Sequence, residues 1–167
     1  MSDITPATDV DNIMHLQLKT GTVVIRLRPD LAPAHADRFR ALSAEGFYDN
    51  VPFHRVIDGF MAQSGDPTGT GTGGSQLPDL KSEFTNKAKF VRGTLGAART
   101  QNPHSANSQW FIMFAPAPSL DGQYTIFGEV TEGMDLIDQI RRGAGGSGMV
   151  SDPDRIVTVR PASHTAA

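Results

Sequence analysis

The sequence predicts a mainly β domain: a closed antiparallel β-barrel of about eight strands capped by two α-helices. Three observations lead there. Seventeen glycines and eleven prolines are spread through the 167 residues and cut the apolar positions into short segments. Those segments alternate or are rich in β-branched residues, the pattern of a pleated strand. Only two stretches carry apolar residues at helical spacing. A closed ladder leaves no edge to pair with another chain, and two helices suffice to plug the two ends of a barrel.

Residues 1–12 are polar and are expected to form a flexible N-terminal arm, 13–161 a single domain, and 162–167 a C-terminal tail. Ile13 to Leu18 alternates, Lys19-Thr20-Gly21 offers a turn, and Thr22 to Leu27 returns as a second strand, together a hairpin. Pro29 and Pro33 end it, and Pro33 suits the first turn of a helix. From Ala34 to Glu45, Ala36, Phe39 and Leu42 fall three apart and give one apolar helical face, with Gly46 as its stop. Short strands are expected at Phe53–Ile57, Phe60–Gln63, Thr94–Ala98, Gln109–Phe114, Tyr124–Val130 and Arg155–Arg160. Residues 65–89 read as a long loop without periodicity, a length that in a compact domain points to function or mobility. Met134 to Arg141 is the second helix, with Met134, Ile137 and Ile140 on one face and Arg141 and Arg142 at the end where the helix dipole favours cations.

Composition narrows the function. The formal net charge of -3 argues against a general nucleic-acid binder, which would show a basic stripe. The absence of cysteine removes disulfides, thiolate chemistry and cysteine-rich zinc sites. The N-terminus has no basic region followed by an apolar one, as a secretory signal would, and no apolar run approaches the ~20 residues of a membrane span. A cytoplasmic monomer that contacts neither membrane nor nucleic acid is the expectation.

Two motifs are set aside on context. Gly69-Thr70-Gly71-Thr72-Gly73-Gly74 fits a glycine-rich dinucleotide pattern, but no strand precedes it and no helix follows, so it reads as a tight loop. The five histidines do not pair at helical spacing around a glutamate and do not cluster with carboxylates in sequence, so no metal site is expected.

The informative stretches are two. Phe53-His54-Arg55-Val56-Ile57-Asp58-Gly59-Phe60-Met61-Ala62-Gln63 reads as a hairpin around an Asp-Gly turn. Alternation puts Phe53, Arg55 and Ile57 on one face and Phe60 with Ala62 on another. An arginine among such neighbours either lays its stem along the barrel wall or aims a fixed guanidinium at a ligand, and spacing alone leaves both open. In Ser108-Gln109-Trp110-Phe111-Ile112-Met113-Phe114, the face holding Trp110, Ile112 and Phe114 is the core candidate, and Gln109 with Phe111 the groove candidate.

At these residues the chain resembles the cyclophilins. The run from Phe53 to Asp66, the loop Gly69–Gly74, Ser108–Ile112 and Leu120-Asp121-Gly122-Gln123-Tyr124 to Val130 occur in that family's order, and the resemblance covers about Ile13 to Pro161. It implies a cyclophilin-like fold and peptidyl-prolyl cis/trans isomerase activity on proline-containing peptides and folding polypeptides, with no metal or cofactor. It implies Arg55 as the central catalytic residue, with Phe60, Met61, Phe111, Leu120 and Tyr124 as walls of a proline pocket. Gln63 would hold the arginine and the substrate backbone, Ala98 and Arg99 would pair with the peptide main chain, and Gln109 and Gly71 would edge a neighbouring pocket. Three positions depart from better-known members: Ser119 stands where many have tryptophan, Tyr124 where they have histidine, and Arg99 where they have asparagine. The first of these implies weak cyclosporin binding. The main rival expectation is a proline-binding module or chaperone that uses the groove without catalysis, and a third is a phosphate-ligand enzyme built on the loop Gly69–Gly74.

Overall fold

The structure, a computed structural model, describes residues 12–165. The expected arm before Asn12 and the last two residues of the expected tail lie outside them. Eight antiparallel strands stand where the sequence pattern predicts them, although those expected from Phe53, Tyr124 and Arg155 begin two, two and three residues later. They are β1 (Ile13–Leu18), β2 (Gly21–Leu27), β3 (Arg55–Ile57), β4 (Met61–Ser64), β5 (Thr94–Ala97), β6 (Trp110–Met113), β7 (Ile126–Glu132) and β8 (Thr158–Pro161).

The alternation in Ile13–Leu18 does what it promised: Met14, Leu16 and Leu18 are buried and face the core, and the residues between them are half-buried. β6 differs. All four of its residues are buried, because both faces of the central sheet are covered. Trp110 and Ile112 pack into the main core beneath helix α1 (Pro33–Glu45), while Phe111 and Met113 join a second cluster with Met61, Phe90 and Ile126. Phe111 is therefore both buried and a groove wall, where the sequence suggested a surface position.

Helix α1 begins one residue earlier than expected, with Pro33 at its start and Gly46 in the left-handed conformation (φ 84°) at its end. Ala36, Phe39 and Leu42 are its buried apolar face, as their spacing predicts. Its N-terminus has no cap from its own flank. Glu83, from the long loop, supplies one: its carboxylate accepts the N–H groups of Ala34 (3.2 Å) and His35 (2.9 Å) and lies 2.6 Å from His35 Nδ1. This carboxylate–histidine pair, 48 residues apart, is invisible in sequence spacing. No group of three or more metal-ligating side chains occurs among the described residues.

Three expectations are corrected. The ladder is open: its order is β3-β4-β6-β5-β7-β2-β1-β8, and β3 and β8 do not pair with each other. The two outer strands are three and four residues long. The segments leading into them come together instead, through Asn50 N–H to Ile156 O (2.8 Å), Ile156 N–H to Val51 O (2.9 Å) and Phe53 N–H to Asp154 O (2.9 Å). Second, the helix expected over 134–141 is the single turn α2 (Met134–Ile137). Arg142 folds back and donates to the carbonyls of Asp138 (2.6 Å) and Ile140 (2.7 Å), satisfying them where a longer helix would have done so. Ile137 and Ile140 are nonetheless buried, as the spacing required. Third, a four-residue helix α3 (Ala162–Thr165) stands at the start of the expected tail.

The outer edge of β3 is covered by a glycine-rich strap, residues 143–150. Val56 N–H donates to Gly148 O (2.8 Å), Gly143 N–H to Val56 O (2.8 Å), and Val150 N–H to His54 O (3.0 Å). Only glycine allows this approach: a Cβ on Gly148, whose φ is +75°, would lie 2.5 Å from Ile57 Cγ1.

Candidate active site

The hairpin β3–β4 sets Arg55 opposite Gln63, and β4–β6 sets Gln63 opposite Phe111. These pairings line up a row of side chains across three adjacent strands. Phe53 does not share the face of Arg55, because it precedes β3 and turns into the core beside Val56. Phe60 likewise lies in the Asp58–Phe60 turn, not in the strand, so it faces the second cluster while Ala62 faces the first. Tyr124 stands just before β7 in the same way.

A cavity of about 200 Å³ opens over that second cluster. Its floor and sides are apolar: Phe60, Met61, Ala98, Phe111, Leu120 and Tyr124. Met61 and Phe111 are buried, and Phe111 is fixed between Phe90, stacked at 5.8 Å, and Tyr124, edge-on at 5.8 Å. Arg55, Gln63 and Arg99 form the polar rim. A second cavity of about 530 Å³ adjoins it and shares Gln63, Ala98 and Arg99; Gly71 and Gln109 line this one and not the first. Every site residue expected from the sequence thus falls on one of two joined cavities.

The polar rim is a directed chain. Arg55 Nε donates to Ser147 O of the strap (2.9 Å) and Nη1 to Gln63 Oε1 (3.3 Å). Because arginine only donates, Gln63 must present its oxygen there. Its Nε2 then donates to Gln109 Oε1 (2.9 Å), and Gln109 Nε2 donates to the carbonyls of Gly71 and Gly73, both at 3.0 Å. One orientation of the two glutamine amides makes all of these contacts. No described group accepts from Arg55 Nη2, which leaves that donor available at the cavity.

The glycine loop at the far end of this hydrogen-bond chain is itself built around a charge. Asp66 is fully buried and accepts N–H groups from Thr68 (2.8 Å), Thr70 (3.2 Å), Gly71 (2.6 Å) and Gly73 (3.1 Å), plus the Thr68 hydroxyl. The loop is an anion nest filled by its own aspartate. Burial works to raise this carboxyl's pKa, but the N–H of Gly73 and the Thr68 and Gly71 donors outweigh it and hold the value at about 2. Beside the loop, His54 is buried with neither ring nitrogen hydrogen-bonded, and burial lowers its pKa despite the attraction of Asp66.

Sequence reasoning missed the strap and the nest. The run Gly143-Ala144-Gly145-Gly146-Ser147-Gly148 was the signal for the first: so many glycines beside a strand mark a close backbone approach. A short acid two residues before a threonine–glycine repeat was the signal for the second.

With this geometry in place, comparison with known proteins decides the family. A family model described as cyclophilin type peptidyl-prolyl cis-trans isomerase matches residues 13–161. The chain belongs to this family. A "probable peptidyl-prolyl cis-trans isomerase" of Brucella suis biovar 1 is 51% identical over 163 residues, covering 90% of this chain and 83% of that protein. A "peptidyl-prolyl cis-trans isomerase-like 1" of Aspergillus oryzae is 41% identical over 122 residues, covering 72% of this chain and 76% of that protein. Among solved structures, a Cryptosporidium parvum cyclophilin crystallised in the presence of the dipeptide Ala-Pro superposes with a TM-score of 0.81 at 31% identity, covering 89% of this chain and 98% of that one. A cyclophilin from Hirschia baltica, at 24% identity and a TM-score of 0.83 over 97% of this chain and 82% of that one, shares the fold. The open eight-stranded antiparallel ladder described above is thus a cyclophilin fold.

Proposed function

We propose that this cyclophilin accelerates rotation about Xaa-Pro bonds in the cavity rimmed by Arg55, acting on proline-containing peptides and folding polypeptides. The observation that carries the reading is a guanidinium braced on two sides, with a free donor, at the rim of a small apolar cavity.

Amide resonance sets a rotation barrier of about 18–20 kcal/mol. Uncatalysed exchange takes tens to hundreds of seconds, so millisecond turnover needs roughly 10⁴–10⁵-fold acceleration, or about 5.5–7 kcal/mol. Only interactions stronger in the twisted state than in the planar one supply it. In the twisted amide the prolyl nitrogen regains a lone pair and accepts a hydrogen bond that it cannot accept when planar. Arg55 offers the donor in a rigid planar fork. Phe60, Met61, Phe111, Leu120 and Tyr124 hold the ring in a water-poor pocket, where that bond is worth more. Gln63, Gln109, Gly71 and the main chain at Ala98 and Arg99 hold the flanking peptide while one end turns. No covalent step is required.

Residues 13–161 act as one unit in this reading. The exposed Ser119, in the turn Pro118–Leu120, offers no aromatic surface at the pocket mouth, so weak cyclosporin affinity goes with it.

The test is isomerisation of a cis-Xaa-Pro peptide, followed by exchange NMR, for wild type and Arg55→Ala. Acceleration that falls at least about tenfold in the variant, with circular dichroism unchanged, supports the proposal. A folded wild type that binds the peptide without accelerating it makes the groove a binding surface only.

A further inference from the structure

Arg99 sits on the wall common to both cavities, yet nothing in the main-chain role implied for it explains how its side chain is held. Its Nε and Nη2 both donate to Gln123 O (3.0 and 2.7 Å), and Nη1 donates to Thr100 O (2.8 Å). The guanidinium lies 4.6 Å from the centre of the Tyr124 ring and 5.8 Å from that of Phe84. A long, mobile side chain is thereby fixed in one place, and its ordering cost is met before any substrate arrives.

What this fixed charge faces matters more than how it is held. All of its described partners are carbonyls and rings; no described carboxylate pairs with it. The smaller cavity is lined by two cations, Arg55 and Arg99, and by no acid. The larger has a single carboxylate, Asp79, which accepts from Asn107 Nδ2 at 3.0 Å. On a chain of net charge -3, the substrate groove is locally positive.

Resting on the isomerase reading above, we propose that Arg99 is a specificity residue that favours substrates with a carboxylate side chain flanking the proline. A proline ring in the smaller cavity sends one flank of its peptide past Arg99 into the larger one. An Asp or Glu there meets a half-buried, preorganised guanidinium; a Lys there meets a like charge. The same arrangement disfavours basic flanks without any change in the pocket that takes the ring.

The experiment measures kcat/KM by exchange NMR for peptides carrying Glu, Gln or Lys one or two residues before or after proline, with wild type, Arg99→Gln and Arg99→Lys. At the best-placed position, wild type should prefer Glu over Lys by about fivefold or more, the worth of a half-exposed ion pair, and the ratio should fall with added salt. Arg99→Gln should bring it to within about twofold. Arg99→Lys, which keeps the charge but loses the planar stack, should retain part of it. A wild type indifferent to the flanking charge, or a preference that survives Arg99→Gln, overturns the proposal. So does an equal slowing of every peptide in Arg99→Gln, which would make the residue a support for Tyr124 alone. Acceleration of the neutral Gln peptide by wild type is read separately: its absence removes the isomerase reading itself.

Discussion

Substituting Gln109→Glu tests the direction of the hydrogen-bond chain that steadies Arg55. The change replaces an NH₂ group by an oxygen and alters little else. The introduced carboxylate would still accept from Gln63 Nε2, so the hold on Arg55 survives. Its other oxygen would face Gly71 O and Gly73 O, each 3.0 Å from the nitrogen it replaces, with no proton between them. Two hydrogen bonds of about 1 kcal/mol each are lost and a charge is set against two carbonyl dipoles, for a total of about 2–3 kcal/mol. In a domain of this size that lowers Tm by roughly 5–10 °C. The Arg55–Gln63 contact is unchanged, so kcat should stay within about threefold of wild type, and any larger loss should fall on KM through the altered hold of residue 109 on the flanking peptide. The deficit should also depend on pH. The folded pKa of the introduced carboxyl is raised above its unfolded value of about 4.3, so the penalty is full above the folded pKa and fades as pH falls and the protonated carboxyl donates to the loop. Urea unfolding of both proteins at pH 8 and pH 4.5 measures this. A variant as stable as wild type at pH 8, or a deficit equal at both pH values, refutes the assigned orientation.

Acid should destabilise the wild type in two stages. Burial lowers the pKa of both His35 and His54 below the ordinary value of 6.5, so their contribution is complete above about pH 6.5 and is lost as pH falls through the folded values. Asp66 follows: its shift from 3.8 to about 2 is worth about 2 kcal/mol, present above pH ~4 and lost towards pH 2. Equal urea midpoints at pH 7.5 and pH 5 would contradict the neutral burial of the two histidines. The strap offers a paired test. Gly148→Ala places a Cβ 2.5 Å from Ile57 Cγ1 at φ +75°, whereas Gly145→Ala, at φ +66°, meets nothing within 4 Å. The first should cost about 2–3 kcal/mol and lower kcat by shifting the Ser147 carbonyl off Arg55; the second should cost about 1 kcal/mol from backbone strain alone and leave kcat unchanged. Equal kcat in both variants would mean that the strap does not position Arg55.

Much of this molecule is legible in one dimension because its strongest signals are local. Alternation in Ile13–Leu18 and the three-residue spacing of Ala36, Phe39 and Leu42 each report a face of one element, and each face is buried as read. The same logic fails at Phe53 and Phe60, where the chain turns before the ladder begins and parity is lost. Closure of the barrel could not be read either, since it depends on whether two strands of three and four residues at opposite ends of the ladder meet. The site residues were recognisable as family motifs, but their bracing was not. Ser147 lies 92 residues from Arg55 and acts through its carbonyl, which any residue would provide. Glu83 caps a helix from across the fold, and Phe84 meets Arg99 through a ring contact that no spacing announces.

The pairing of β1 with β8 has a consequence for connectivity. Met14 stands opposite Pro161, so the beginning of the first strand and the end of the last are neighbours, and β1 is bordered by β2 on one side and β8 on the other. A short linker from the end of β8 to the start of β1, with the chain opened at the exposed Lys19-Thr20 turn, would make β8–β1 an ordinary hairpin and leave every rung of the ladder in register. The order in which these strands are synthesised is therefore separable from the order in which they lie. Such a circular permutant would keep β3 to β7, and every residue of the two cavities, on an uninterrupted stretch of chain.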